Sequence, residues 1–305
     1  MRPALRSKVD VHVVDAFTTT PGHGNRAGVV LDAGGLDRGA MQAVAAFAGY
    51  SETAFVLAPE DATHRLRVRY FTPTAEVPIC GHATVAAHFL RASLGHAADY
   101  PLIARTGAGD LSVGLEQADG RIRVSMMQGT PHFEDPLEPA VCAALTEALR
   151  IAPDEIGSSP IQIVSTGHSK VLVPVRRRAV LDALQPDMPR LSAVSAQIGC
   201  NGFFPFVLEG SARKPLTYGR MFAPAIGIDE DPVTGNANGP LGAYLVHHGL
   251  VETLGKLTYP GHQGIAMGRP GVVHVTVDRR GTDGRMSVSI AGDAVVAGIR
   301  TYAKP

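Results

Sequence analysis

Apolar and polar residues alternate with a period of two in short runs along most of this chain. VDVHVVDAF, RAGVVLD, RLRVRYF and RIRVSM lie in the first half; IQIVST, KVLVPV, FPFVLE, LTYGRMF, VVHVTVD and MSVSIAG lie in the second. Runs of this kind, bounded by Gly, Pro, Asn and Asp, predict strands. Helical periodicity is confined to five segments, at 36–48, 82–94, 138–150, 190–198 and 239–248, so strands outnumber helices. Two of these segments are apolar nearly all round. A helix without a polar face must be buried on every side, and in a strand-rich chain that requires a sheet curled around it. The expected class is α+β, with one wrapped helix per domain.

The pattern also repeats. Around Phe71 the chain reads RYFTPTAEVPICGHATVAAHFLRASLG, and around Phe222 it reads RMFAPAIGIDEDPVTGNANGPLGAYLVHHG. Both carry R-x-F-x-P, then, after a three-residue difference in length, E-x-P-x-x-G-x-A, then an apolar helix-length segment closing on Gly95 or Gly249. Phe55-Val56-Leu57 and Phe206-Val207-Leu208 stand at equal distances before the two blocks. Two pseudo-symmetric lobes follow from this repeat, with the polar stretch QGTPHFEDPLEP at 128–139 as the boundary. The 305 residues suffice for two cores of about 150 residues each.

Composition narrows the partners. Lys plus Arg number 28, as do Asp plus Glu, so there is no basic excess for nucleic acid or an anionic membrane. A small molecule is the expected partner. Cys80, Cys142 and Cys200 are odd in number and widely spaced, which suits a reducing, cytoplasmic setting. The start, MRPALRSKVDV, lacks the apolar core of a signal peptide, and no run approaches the roughly 18 apolar residues of a membrane span.

The repeated loops hold the candidate chemistry. In each copy a Gly stands where the loop enters a helix, so free N–H groups and the positive end of the helix dipole point outward and favour a carboxylate. The expectation is that the starts near Gly81-His82 and Gly235-Asn236 converge on one cleft between the lobes; ordinary helix capping is the alternative for each loop alone. Cys80 aligns with Thr234, so a mechanism with two opposed thiols is not available. Ser51-Glu52-Thr53 aligns with Gly202-Phe203-Phe204, leaving Glu52 as a single acid, whose pKa burial is expected to raise towards roughly 6 to 7. A solvated carboxylate at a helix-to-strand turn is the alternative for Glu52, capping for His82, and pairing with a nearby Arg for Asp231.

Other motifs fail on context. Gly22 to Gly28 imitates a dinucleotide fingerprint but runs into the strand AGVVLD rather than a helix. Residues 249–256 lack the Gly spacing and the Ser or Thr of a phosphate loop. Gly167-His168-Ser169-Lys170-Val171 lacks the second Gly of a nucleophile elbow. Without HExxH or paired CxxC, no metal site is expected.

VDAFT, GNRAGVV, SETAFV, YFTPTAEVPICGHATVAAHFL, MFAPAIGIDEDPVTGNANGPLGAYL and GHQGIAMGRPGVVHV, in that order, resemble the phenazine-biosynthesis PhzF-like isomerase family. The resemblance implies a diaminopimelate epimerase-like fold of two lobes, each a curved, mostly antiparallel sheet wrapped around a central helix. The first lobe would span 1–127 with 294–305, the last segment crossing back into it, and the second 128–293. It implies a homodimer that works without a cofactor, moving a proton on a small carboxylate-bearing substrate. Glu52 would be the acid/base. His82 and Asp231 would hold the substrate and tune that acid, and Cys80, Gly81, Thr234, Gly235 and Asn236 would line its binding site. Asn236 stands where the phenazine enzyme has Ser, and Cys80 where it has an apolar residue. A protein that only binds an anionic metabolite, and a racemase or dehydratase using Cys80 with Thr234, are the other two readings.

Overall fold

The computed structural model describes residues 8–118, 120–279 and 285–303; the outer ends of the expected first lobe, 1–7 and 304–305, lie outside them. The chain divides into two compact units, Met1–Met127 with Ala291–Pro305, and Gln128–Ile290.

The first unit contains β1 (Lys8–Ala16), β2 (Asn25–Val30), α1 (Arg38–Ala48), β3 (Thr53–Leu57), β4 (Leu66–Phe71), β5 (Glu76–Val77), α2 (Gly81–Arg91), β6 (Leu102–Thr106), β7 (Gly109–Ala118) and β8 (Arg121–Met127). The second contains β9 (His132–Pro136), α3 (Pro139–Leu149), β10 (Gln162–Ser165), β11 (Ser169–Pro174), α4 (Arg178–Asp182), α5 (Met188–Ile198), β12 (Phe203–Ser211), β13 (Lys214–Gly219), β14 (Met221–Ala223), β15 (Ile228–Asp231), α6 (Gly235–His247), β16 (Lys256–Gln263) and β17 (Gly271–Asp278). The strands β18 (Ser287–Gly292) and β19 (Ala294–Ala303) end the chain.

The strand pairings of the two units repeat. The β2–β3 and β11–β12 pairs are parallel, as are β4–β6 and β13–β16. The pairs β1–β2 and β10–β11, β3–β4 and β12–β13, and β6–β7 and β16–β17 are antiparallel. An outer strand completes each set, β19 against β1 and β9 against β10. The α+β class with a curled, mostly antiparallel sheet in each unit is therefore the observed fold.

The register corrects one detail of the repeat. Thr53 lies opposite Phe71 and Phe203 opposite Phe222, while the Gly28 and Val171 amides donate to the carbonyls of Glu52 and Gly202. Glu52 thus corresponds to Gly202, Ser51 to Asn201 and Thr53 to Phe203, one residue earlier than equal spacing suggests. The second hairpin is one residue longer than the first, and a one-residue slip is invisible to spacing alone.

The two apolar helices are the wrapped ones. From Gly81 to Leu90 of α2 every residue except Phe89 is buried, and from Gly235 to Val246 of α6 every residue except Asn236. Helix α2 touches β1, β2, β3, β8 and β19; α6 touches β10, β11 and β17. The amphipathic α1 contrasts with both: Asp37 caps its start and Gly49, in the left-handed region, ends it. Its buried residues Met41, Val44, Ala45 and Ala48 follow the i, i+3, i+4, i+7 spacing of a single face.

Three local expectations differ from the structure. Helix α6 begins four residues before 239, through GNANG and with Pro240 inside. Gly, Asn and Pro weaken a helix, but the Asn238 side chain donates to the Thr234 carbonyl at 3.0 Å and burial of the whole segment offsets the propensity. The polar stretch 128–139 contains β9, whose mostly exposed residues hide it from hydrophobic patterning and which exists by pairing with β10. The short α4 was not foreseen. Among the described residues no helix is long and apolar enough to cross a membrane.

How closely the sheet encloses α6 is testable at Gly242, where a Cβ would meet Val275 Cγ1 at 2.6 Å and Val277 Cγ2 at 3.0 Å. In an open helix Gly→Ala stabilises by about 1 kcal/mol; overpacking here costs about 1–3 kcal/mol. We expect Gly242→Ala to lower the midpoint of urea unfolding, and a raised midpoint would show that the helix is not tightly enclosed.

Candidate active site

Each copy of the R-x-F … E-x-P block forms a staple. Arg69 forks onto Glu76 with Nε–Oε1 and Nη2–Oε2 distances of 2.7 and 2.8 Å, and Arg220 onto Glu230 at 2.9 and 2.8 Å. The guanidinium carbons lie 5.2 Å from the Phe71 ring centre and 5.0 Å from that of Phe222. Bidentate pairing and contact with an aromatic face suit Arg rather than Lys. These staples pin the loops that lead into α2 and α6. Arg220 is engaged by Glu230, the neighbour of Asp231.

In the first unit, Cys80 is the N-cap of α2 in extended conformation and makes no side-chain capping bond. Thr84 Oγ1 instead donates to the Cys80 carbonyl at 2.7 Å and lies 2.7 Å from the Tyr70 hydroxyl, anchoring the helix start from within. His82, in the first turn of α2, is buried. Its Nε2 lies 3.2 Å from Glu52 Oε2 and 3.3 Å from Ser51 Oγ, and its Nδ1 lies 3.4 Å from Cys80 Sγ. Glu52 reaches this point because the parallel β2–β3 pair delivers the residue before Thr53 next to α2; its side chain is 16% exposed. Ser51, Glu52, Cys80 and His82 therefore form one cluster. His82 does not merely cap its helix.

The electrostatics reverse one expectation. Burial pushes the Glu52 pKa up, but contact with His82, Ser51 and Cys80 more than offsets it, so the pKa is lowered from 4.5 rather than raised. Burial pulls His82 down, yet Cys80 and Glu52 raise it well above 6.5. Burial and the Glu52 charge raise Cys80. These directions favour a charged Glu52 carboxylate beside a charged His82 imidazolium. Donor atoms of Glu52, Cys80 and His82 all lie within 4.8 Å of one another, so these are the residues that could take a cation, Glu52 joining the Cys80–His82 pair visible in the sequence.

In the second unit, Thr234 is the N-cap of α6 and its hydroxyl donates to Asp231 Oδ2. Buried Gln263 ties the loop: its Oε1 accepts from the Thr234 amide at 2.9 Å and its Nε2 donates to the Asp231 carbonyl at 2.8 Å. Gly235 is buried, and Asn236 is half-buried in the first turn. Asp231, Thr234, Gly235 and Asn236 thus sit together at the start of α6, as Cys80, Gly81 and His82 do at α2.

Sequence reasoning missed Gln263 and the buried Lys170. Gln263 carries no motif. Lys170 lies in the T-G-H-S-K stretch, which lacks the second Gly of a nucleophile elbow and carries no other motif. The Gly22–Gly28 stretch is a turn leading into β2: Asp15 accepts from the Gly22 amide at 2.7 Å and from the forked Arg26 guanidinium.

Comparison with known proteins places this geometry. The PhzC-PhzF family, phenazine biosynthesis-like protein, matches residues 14–298. The chain is 50% identical over 291 residues to the uncharacterized isomerase YddE of Escherichia coli K12, covering 95% of this chain and 96% of the relative. It is 32% identical over 289 residues to trans-2,3-dihydro-3-hydroxyanthranilate isomerase of Pseudomonas chlororaphis, covering 94% and 96%. Among solved structures, the PhzF-family phenazine biosynthesis protein of Bacillus anthracis superposes with a TM-score of 0.88 at 32% identity, over 98% of this chain and 100% of that one. A hydroxyproline epimerase of Agrobacterium vitis shares the fold, with a TM-score of 0.62 at 14% identity over 99% and 94%.

The staples predict a pH-dependent stability. Arg69 lowers the Glu76 pKa from 4.5, so the stabilisation is present above the unfolded value and is lost as pH falls through the folded one. Glu76→Gln is expected to cost about 1–3 kcal/mol at pH 7, the range for hydrogen bonds to charged groups and groups left unpaired. Chemical unfolding of both proteins across pH tests this: the gap between them should close in acid, and a constant gap would mean the pair contributes no charge-dependent stability.

Proposed function

This chain belongs to the phenazine biosynthesis-like PhzF family and is an isomerase, and from that premise we propose that Glu52 is its single acid/base, working without a cofactor on a small carboxylate-bearing substrate. The observation that carries this reading is the Glu52 carboxylate held 3.2 Å from Nε2 of buried His82 in the first turn of α2, at a position where the second unit has Gly202. One unit supplies a base and the other has none at the matching place.

The proton inventory follows from the pair. Glu52, as carboxylate, takes a proton from a substrate carbon, and the electron pair of that C–H bond delocalises toward the substrate carboxylate. The resulting Glu52 acid returns the proton to a second carbon, so no proton is gained or lost overall. His82 keeps Glu52 ionised before the transfer. The N–H groups at Gly81 and Gly235, with Asp231, Thr234 and Asn236, hold the substrate and its developing charge. A lowered base pKa weakens Glu52 as a base, so stabilisation of the carbanion by these dipoles has to supply the larger part of the rate. We take the active form to be a cytoplasmic homodimer.

The Cys80 and Thr234 racemase reading loses ground to specific contacts: burial and the Glu52 charge raise the Cys80 pKa, and the Thr234 hydroxyl is committed to Asp231. A protein that only binds does not accord with relatives named as isomerases.

Incubation in deuterium oxide with trans-2,3-dihydro-3-hydroxyanthranilate and a panel of unsaturated and 2-amino acids should show protein-dependent exchange of carbon-bound hydrogen. Glu52→Gln should fold normally and lose this exchange by about a hundredfold or more; retained exchange would remove Glu52 from the mechanism. The same assay gives a pH profile. Activity should fall in acid as Glu52 protonates below its ordinary 4.5, and in base as His82 deprotonates above 6.5. His82→Gln removes the cation and leaves burial in control, so the acid limb should move upward; an unmoved limb would uncouple the two residues.

A further inference from the structure

Lys170, in β11, is 3% exposed. Its Nζ lies 2.9 Å from His168 Nδ1 and 2.9 Å from the Ser169 carbonyl oxygen. An ammonium has three N–H donors, so two are used; among the described residues no carboxylate stands within ion-pair distance of the third. Its stem crosses Gly202, where a Cβ would meet Lys170 Cδ at 2.8 Å and Met221 Cε at 2.5 Å, and where φ is +136°. Met221 is the cross-strand partner of Asp231, whose charge acts on Lys170. The hairpin that carries Lys170 abuts α6: a Cβ at Gly239 would lie 3.4 Å from Thr166 Oγ1.

The repeat gives this placement meaning. Gly202 corresponds to Glu52, so where the first unit presents an acid beside the start of α2, the second clears the position with a glycine and lays the stem of a buried lysine across it. A buried cation without a carboxylate on it is costly to keep, and such groups cluster where a ligand supplies the missing charge. Burial lowers the Lys170 pKa to about 8, with Cys200 and Asp231 opposing, and the Lys170 charge in turn lowers His168, which suits neutral His168 as the acceptor that orients the ammonium.

We propose that Lys170 is the substrate-recognition cation of the second unit, its remaining N–H taking an oxygen of the substrate's carboxylate, and that the enzyme therefore selects free acids over their amides and esters. This rests on the reading of the α6 loop as a substrate site and deepens it by giving the carboxylate a charged partner besides the helix dipole.

Calorimetric titration of the full chain with 3-hydroxyanthranilate, anthranilate, and short unsaturated and 2-amino acids, each beside its primary amide, tests this. Wild type should bind at least one acid, and Lys170→Met should weaken that acid by about tenfold to a hundredfold. Lys170→Arg should recover part of the loss, and the amide should bind both proteins alike. Equal affinity of wild type and Lys170→Met for the acid, or no acid bound by wild type at millimolar concentration, overturns the inference. Should Lys170→Met not fold, the pH dependence of binding to wild type replaces it: affinity for the acid should fall above about pH 8 as Lys170 loses its charge while that for the amide stays level, and parallel profiles overturn the inference. Glu52→Gln separates the two readings. Lost exchange in that variant with unaltered acid binding in Lys170→Met removes the cation alone; retained exchange with lost acid binding removes the Glu52 base alone.

Discussion

A guanidinium forked onto a carboxylate and lying over a phenylalanine ring closes the loop in front of each central helix, and the chemistry depends on that closure. Arg69–Glu76 and Arg220–Glu230 neutralise the charged groups that the loops must carry close to the protein interior, and they do so with planar geometry that leaves little slack. With the loop fixed, the first turn of the following helix presents its amides and its second residue, His82 or Asn236, at a set place. The same two residue types appear in both blocks for a structural reason, so their repetition is no sign of catalysis.

What differs between the copies is the set of groups gathered at the start of each central helix. The first unit brings Glu52, His82, Ser51 and Cys80 together in a poorly solvated corner, where mutual contacts rather than burial decide ionisation. A carboxylate alone there would be protonated more readily than in water; beside an imidazolium it is not. The second unit spends its loop on neutral donors, Thr234, Gln263 and Asn238, and on Lys170 laid across Gly202. At matching places of the duplicated frame the first unit has an acid, Glu52, and the second a glycine crossed by the Lys170 stem.

The legible parts of the chain were those whose cause is local. Alternating runs located most strands, two apolar segments announced the enclosed helices, and the doubled R-x-F … E-x-P block disclosed the repeat before any coordinates. Strand β9 was hidden because its residues are exposed and only its partner β10 makes it a strand. The start of α6 was hidden because Gly, Asn and Pro disfavour a helix that burial nonetheless stabilises. Gln263 was hidden because a glutamine signals nothing until two loops are folded onto it.

Taken alone, the order of residues determined the class of fold and the duplication, since periodicity and repeated spacing are properties of neighbours along the chain. Tertiary structure decided the direction of the Glu52 pKa, the one-residue register that pairs Glu52 with Gly202, and the burial of Lys170 over that glycine. Each of these is a balance of through-space terms, desolvation against charge and hairpin length against pairing, between groups that the chain itself keeps tens of residues apart.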